Sequence, residues 1–234
     1  MAIYVLVHGG WSGAHGFRHV RRLLHVAGHD VFTPSLTGVG ERVHLVSPLV
    51  TLSTHIRDVV NQVLYEDLHD IVLLGFSYGG AVVTGCLEHI ADRVRHLVYL
   101  DAFVPDDGQS VWALVGGSDL GPIAIGDTWL VPPPQRTYDD PAEAEFSTAR
   151  RCPHPLGCFT EPVRLARPLE DFPFDLTYIR ATADAPDAPG SAAFDDASRR
   201  AEASAAWRHH EIATNHMVPS NRPDELADLL LQLA

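Results

Sequence analysis

The chain has 234 residues, 46% of them hydrophobic, enough for one buried core and suited to a single α/β domain carrying an insertion. Its net charge of −13, without a basic cluster, excludes nucleic acid and anionic membrane as partners, because both would repel it. All 17 basic residues are arginine, which excludes Schiff-base chemistry, a phosphate-loop lysine and a lysine general base.

In chain order, Ile3 to Val7 reads as a short buried strand ending in His8-Gly9-Gly10-Trp11. A strand followed by His-Gly-Gly suits a loop whose backbone N–H groups approach a ligand closely; the amide of Gly10 is the expected donor. This opening apolar run is too short for a signal peptide, and no run approaches the ~18 apolar residues of a membrane span, so a soluble cytoplasmic protein is expected. Gly13 to Gly28 reads as a helix and Asp30 to Pro34 as a strand. Gly38-Val39-Gly40 lacks the third glycine and the following helix of a nucleotide loop. Thr51 to Glu66 is amphipathic, with Ile56, Val59, Val60 and Val63 forming its core stripe.

Ile71-Val-Leu-Leu is an unbroken aliphatic run, as in a strand of a parallel sheet buried on both faces. It runs into Gly75-Phe76-Ser77-Tyr78-Gly79, a Gly-x-Ser-x-Gly pattern that makes a sharp strand-to-helix turn and exposes the serine hydroxyl. Gly80 to Val83 continues as a helix whose first free N–H groups face any anion forming beside Ser77, and the amide of Tyr78 would pair with that of Gly10. His96 to Leu100 is the next buried strand, ending at Asp101. The alternation of strands and helices implies a mostly parallel central sheet flanked by helices, with ligands beyond the carboxyl ends of its strands.

From Phe103 to about Pro173 prolines and glycines are frequent and no core strand is visible, the composition of a cap inserted over a site. The predicted division is 1–102 and 174–234 for the core and 103–173 for the cap. Trp112, Trp129, Phe146, Leu156 and Phe159 could line a pocket, although packing within the cap is the better reading for any one of them. Cys152, His154 and Cys158 have the residue types of metal ligands, but Pro153 and Pro155 stiffen the run and no fourth ligand is evident, so no metal is expected. Three cysteines, an odd number, are expected as free thiols.

Asp175 to Arg180 restores a strand, followed by a loop holding Asp184 and Asp187. Ala192 to Trp207 reads as a helix, His209 to Ala213 as the last strand, and Pro223 to Leu233 as a closing amphipathic helix. His216 follows the last strand, where a general base could reach a serine on a neighbouring strand, whereas His209 and His210 lie within it. A serine needs an adjacent imidazole to take its proton, and the imidazole needs a carboxylate to hold its tautomer. Ser77, Asp184 and His216, in that chain order and each after a strand, supply these roles, with Asp187 as the alternative acid.

The stretches Val5 to Gly13, Ala27-Gly28-His29, Leu36 to Arg42, the turn at Ser77, Leu97 to Pro105 and the His216-Met217 pair make the chain resemble the α/β-hydrolase superfamily over essentially its whole length. Within it, the chain resembles the small-cap branch of plant methylesterases, hydroxynitrile lyases and related bacterial esterases. The resemblance implies Ser77 as nucleophile, Asp184 as acid, His216 as base, the Gly10 and Tyr78 amides as oxyanion donors, and Trp129 as a pocket residue, with Trp11 and Met217 also against the substrate. The lyases of this branch carry a lysine after the catalytic histidine; Met217 stands there instead, which favours hydrolysis. A serine carboxylic-ester hydrolase is therefore expected, acting on a small-molecule ester without a cofactor, with a second copy of the chain, as a homodimer, the one macromolecular partner left open. The alternatives are a lyase or polyketide-tailoring reaction in the same pocket, and a non-catalytic ligand binder.

Overall fold

The computed structural model describes residues 1–117, 129–185 and 188–233. The chain begins with β1 (Ile3–Val7), a 3-10 turn over Ala14–Phe17, α1 (Arg18–Val26) and β2 (Asp30–Phe32). After a 3-10 segment at Gly40–Leu45 come α2 (Leu52–Tyr65), β3 (Ile71–Phe76), α3 (Gly79–Ile90) and β4 (Val94–Leu100). The segment expected as a cap follows with α4 (Val111–Leu114), β5 (Leu130–Val131), α5 (Pro141–Thr148), β6 (His154–Pro155) and α6 (Gly157–Thr160). The chain then returns through β7 (Asp175–Ala181), α7 (Ser191–Glu202), β8 (Trp207–Ile212), α8 (Val218–Asn221) and α9 (Pro223–Gln232).

Six strands form one parallel sheet in the order β2-β1-β3-β4-β7-β8. The unbroken aliphatic runs are explained by burial on both faces. Val5, Leu73, Leu97 and Tyr178 point to one face, where they meet Val59 of α2, Val83 of α3 and Phe194 of α7. Their neighbours Tyr4, Leu74, Val98 and Ile179 point to the other, covered by Val20 and Leu24 of α1 and Leu226 and Leu230 of α9. Each such aliphatic side chain removed from water contributes roughly 1.5–3 kcal/mol. The cap carries its own short antiparallel pair, Leu130 opposite Pro155 and Val131 opposite His154.

The helix expected over 192–207 stops at Glu202, and the last strand starts earlier than expected, at Trp207. The buried Trp207 pairs with Leu176 of β7, so the sheet claims the end of the helical pattern. The stretch expected as one helix from Gly13 is a 3-10 turn and then α1.

Candidate active site

Ser77 sits between β3 and α3 with φ at +55°, the left-handed conformation that lifts its hydroxyl off the end of the strand. The turn is this tight only because glycines flank it: a Cβ on Gly75 would lie 2.5 Å from the Gly79 carbonyl, and one on Gly79 would lie 2.5 Å from the Val7 carbonyl. The Ser77 Oγ is 2.9 Å from the Nε2 of His216, and both residues are buried. His216 stands in the turn between β8 and α8, with its ring stacked at 7° on Phe194 and tilted against Phe76.

On the other side of the ring the structure revises one expectation. The carboxylate facing His216 Nδ1 is that of Asp101, at 2.6 Å, not that of Asp184. Asp184 instead accepts the backbone N–H of His216, at 3.0 Å. Strand order is the reason. Asp101 leaves β4, which adjoins the strand of Ser77, whereas Asp184 follows β7, one strand farther out. Asp101 is held by its own backbone N–H to the Ile179 carbonyl, by the Ala181 N–H at 3.1 Å and by the Arg180 guanidinium. The clue in the sequence was a buried strand that ends in an aspartate, the first strand after the serine turn and its helix. Asp187 lies outside the described residues.

An Nδ1–H donated to Asp101 leaves the lone pair of Nε2 facing Ser77. Burial lowers the imidazole pKa and the charge of Arg136 lowers it further, while the hydrogen bond donated to Asp101 opposes both. The ring is therefore neutral and able to accept a proton at physiological pH.

The N–H groups of Gly10 and Tyr78 donate to no acceptor among the described residues. The Gly10 loop is set from beneath by His8, whose Nε2 accepts the Leu36 N–H and whose Nδ1–H donates to the Gly9 carbonyl. Burial pushes the pKa of His8 down to about 4. Tyr78 donates its hydroxyl to His55 Nδ1, and His55 Nε2–H donates to the Thr37 carbonyl.

A narrow cleft opens over these groups, lined by Ser77 and His216 together with Trp11, Met217, Arg136 and Arg151. Trp11 is fixed by its indole N–H to the Val131 carbonyl and packs against Phe159. Trp129, expected in the pocket, is not among the lining residues; its carbonyl accepts the Leu156 N–H and steadies the cap hairpin. Phe146 is sandwiched between Arg18 and Arg150, and Phe159 is buried against Tyr78 and His154, so both serve packing. Arg136 and Arg151 were not singled out as site residues in the sequence, where no periodicity marks them.

Two groups of side chains come within metal-ligand reach of one another: Asp101, Asp184 and His216, and His55, His154 and Cys158. In the first, both nitrogens of His216 are engaged by Ser77 and Asp101. In the second, both nitrogens of His55 are engaged as described, leaving no lone pair for an ion. Cys152 is drawn off to accept the Gly40 N–H.

A family model described as "Alpha/beta hydrolase family" matches residues 4–229. A carbendazim hydrolyzing esterase from a Nocardioides strain is 41% identical over 180 residues, covering 71% of this chain and 74% of that protein. An α-hydroxynitrile lyase from Arabidopsis thaliana is 27% identical over 104 residues, 44% of this chain and 40% of its own. The crystal structure of a methylesterase from Arabidopsis superposes with a TM-score of 0.78 at 22% identity, covering 100% of this chain and 98% of that one. The chain belongs to the alpha/beta hydrolase family, in the branch that holds esterases and a hydroxynitrile lyase.

Proposed function

We propose that the protein is a serine carboxylic-ester hydrolase. The observation that carries this reading is the unbroken line from the Ser77 hydroxyl through both nitrogens of His216 to the buried carboxylate of Asp101. His216 takes the Ser77 proton as the oxygen attacks the ester carbonyl, and the Gly10 and Tyr78 amides, otherwise without acceptors, hold the oxyanion. Each such donor is worth about 3 kcal/mol in the transition state. The charged imidazole, steadied by Asp101, returns its proton to the departing alkoxide, which leaves as the alcohol. Water then attacks the acyl-Ser77 carbonyl with His216 as base, releasing the acid and restoring the serine.

The similarity to a carbendazim hydrolyzing esterase supports a hydrolytic reaction, and Met217 in place of a lysine argues against lyase chemistry. The test is labelling with a fluorophosphonate, together with turnover of short p-nitrophenyl esters. Labelling that disappears in Ser77→Ala, with turnover lost alongside it, is expected. Turnover that survives Ser77→Ala would refute the acyl-enzyme.

A further inference from the structure

Arg136 and Arg151 come from the cap and line the cavity that holds Ser77 and His216. Three other arginines that touch this segment have partners. Arg18 pairs with Glu143, Arg222 with Asp139, and Arg150 donates to the Phe146 carbonyl while lying over its ring. Among the described residues Arg136 and Arg151 form no salt bridge; Arg151 has the Tyr138 hydroxyl as a neighbour, but its Nε and Nη2 atoms are buried without a hydrogen-bond acceptor. Buried guanidinium donors left unpaired cost free energy that folding alone does not recover. Burial, then the charge of Arg151, lowers the pKa of Arg136, with Asp184 and Asp101 opposing; burial lowers that of Arg151, with Tyr138 opposing; in both the net shift is downward, and an anion between them would relieve it.

We infer that Arg136 and Arg151 form a binding site for a carboxylate on the substrate, so that the ester cleaved at Ser77 is an acidic one, such as the half-ester of a short dicarboxylic acid. Guanidinium forks bind carboxylates with two parallel hydrogen bonds, and shared walls with Ser77 place that carboxylate within one small molecule of the reacting carbonyl. A neutral ester would leave these donors unpaired, so the pair discriminates by charge. This inference rests on the hydrolase reading for its chemistry and on the two arginines for its specificity.

Monomethyl succinate and dimethyl succinate separate the two. At neutral pH, kcat/KM for the half-ester is expected to exceed that for the diester about 10–100-fold in the unaltered protein. In Arg136→Gln and in Arg151→Gln the ratio is expected to fall toward one, and the corresponding lysine variants should recover part of it, since lysine keeps the charge without the fork. A ratio near or below one in the unaltered protein, with Ser77 labelled by fluorophosphonate, overturns the inference and leaves the hydrolase reading standing. A preference that both glutamine variants retain also overturns it. If Ser77 is not labelled and neither ester turns over, the hydrolase reading fails. Calorimetric binding of succinate, present in the unaltered protein and weakened at least tenfold in both variants, would then uphold the anion site, and its absence would overturn it.

Discussion

At the rim of the sheet, the two carboxylates beside His216 are satisfied by their own chain: Asp101 bonds His216, Arg180 and the Ala181 amide, and Asp184 accepts the amide of His216. Across the cavity, in the cap, Arg151 keeps two buried nitrogens without an acceptor. Groups that must hold one geometry through a reaction are fixed by internal partners, whereas groups that recognise a ligand keep their hydrogen-bonding capacity for it. On the proposed reading the rim is the constant part of the site and the segment carrying the two arginines the selective part.

The most severe way to break the comparison is Ser77→Ala, for which ester hydrolysis should fall about 10⁶-fold in kcat. A loss below tenfold would remove the rim from the chemistry altogether. Next, Asp101→Asn should lower kcat about 10⁴-fold, because an amide facing Nδ1 favours the wrong tautomer. Asp184→Asn, which touches only a backbone N–H, should cost about tenfold. Steady-state kinetics of both variants decide between the acids, and the opposite ranking would return the triad role to Asp184.

Acid sharpens the same contrast. His8 and His55 are buried and neutral beneath the cavity, with burial lowering each from 6.5 to about 4. The unfolded chain binds protons below pH 6.5 that the folded one refuses. Their contribution is intact above 6.5 and is lost as pH falls through the window down to about 4, by a few kcal/mol each at most. Urea unfolding midpoints across that range should drop steeply, and a flat profile would show these rings free to protonate in place. The smallest effect falls on the cap. Because Arg136 lowers the His216 pKa while Asp101 and Asp184 raise it, Arg136→Gln should move the acidic limb of kcat/KM for a neutral ester to higher pH. A limb that stays put would separate Arg136 electrostatically from the base.

Much of this was written locally. Four aliphatics before Gly-x-Ser-x-Gly define a doubly buried strand and the turn after it, because parallel strands need no polar alternation and the turn tolerates no Cβ at its flanks. His8-Gly9-Gly10 and His216 were legible for the same reason, since each lies directly after a strand whose end the sequence marks. The sheet order was not legible. It placed the end of β4 beside Ser77 and so brought Asp101 to the ring, while the aspartate that reads as the acid in chain order went to a backbone amide. Nor could the cap be read, for it has little periodic core, and its arginines gain meaning only from the cavity they reach. Local chemistry determines which residues are able to react; which carboxylate and which cations surround them depends on contacts between segments far apart in the chain, and only the packed sheet and cap decide those.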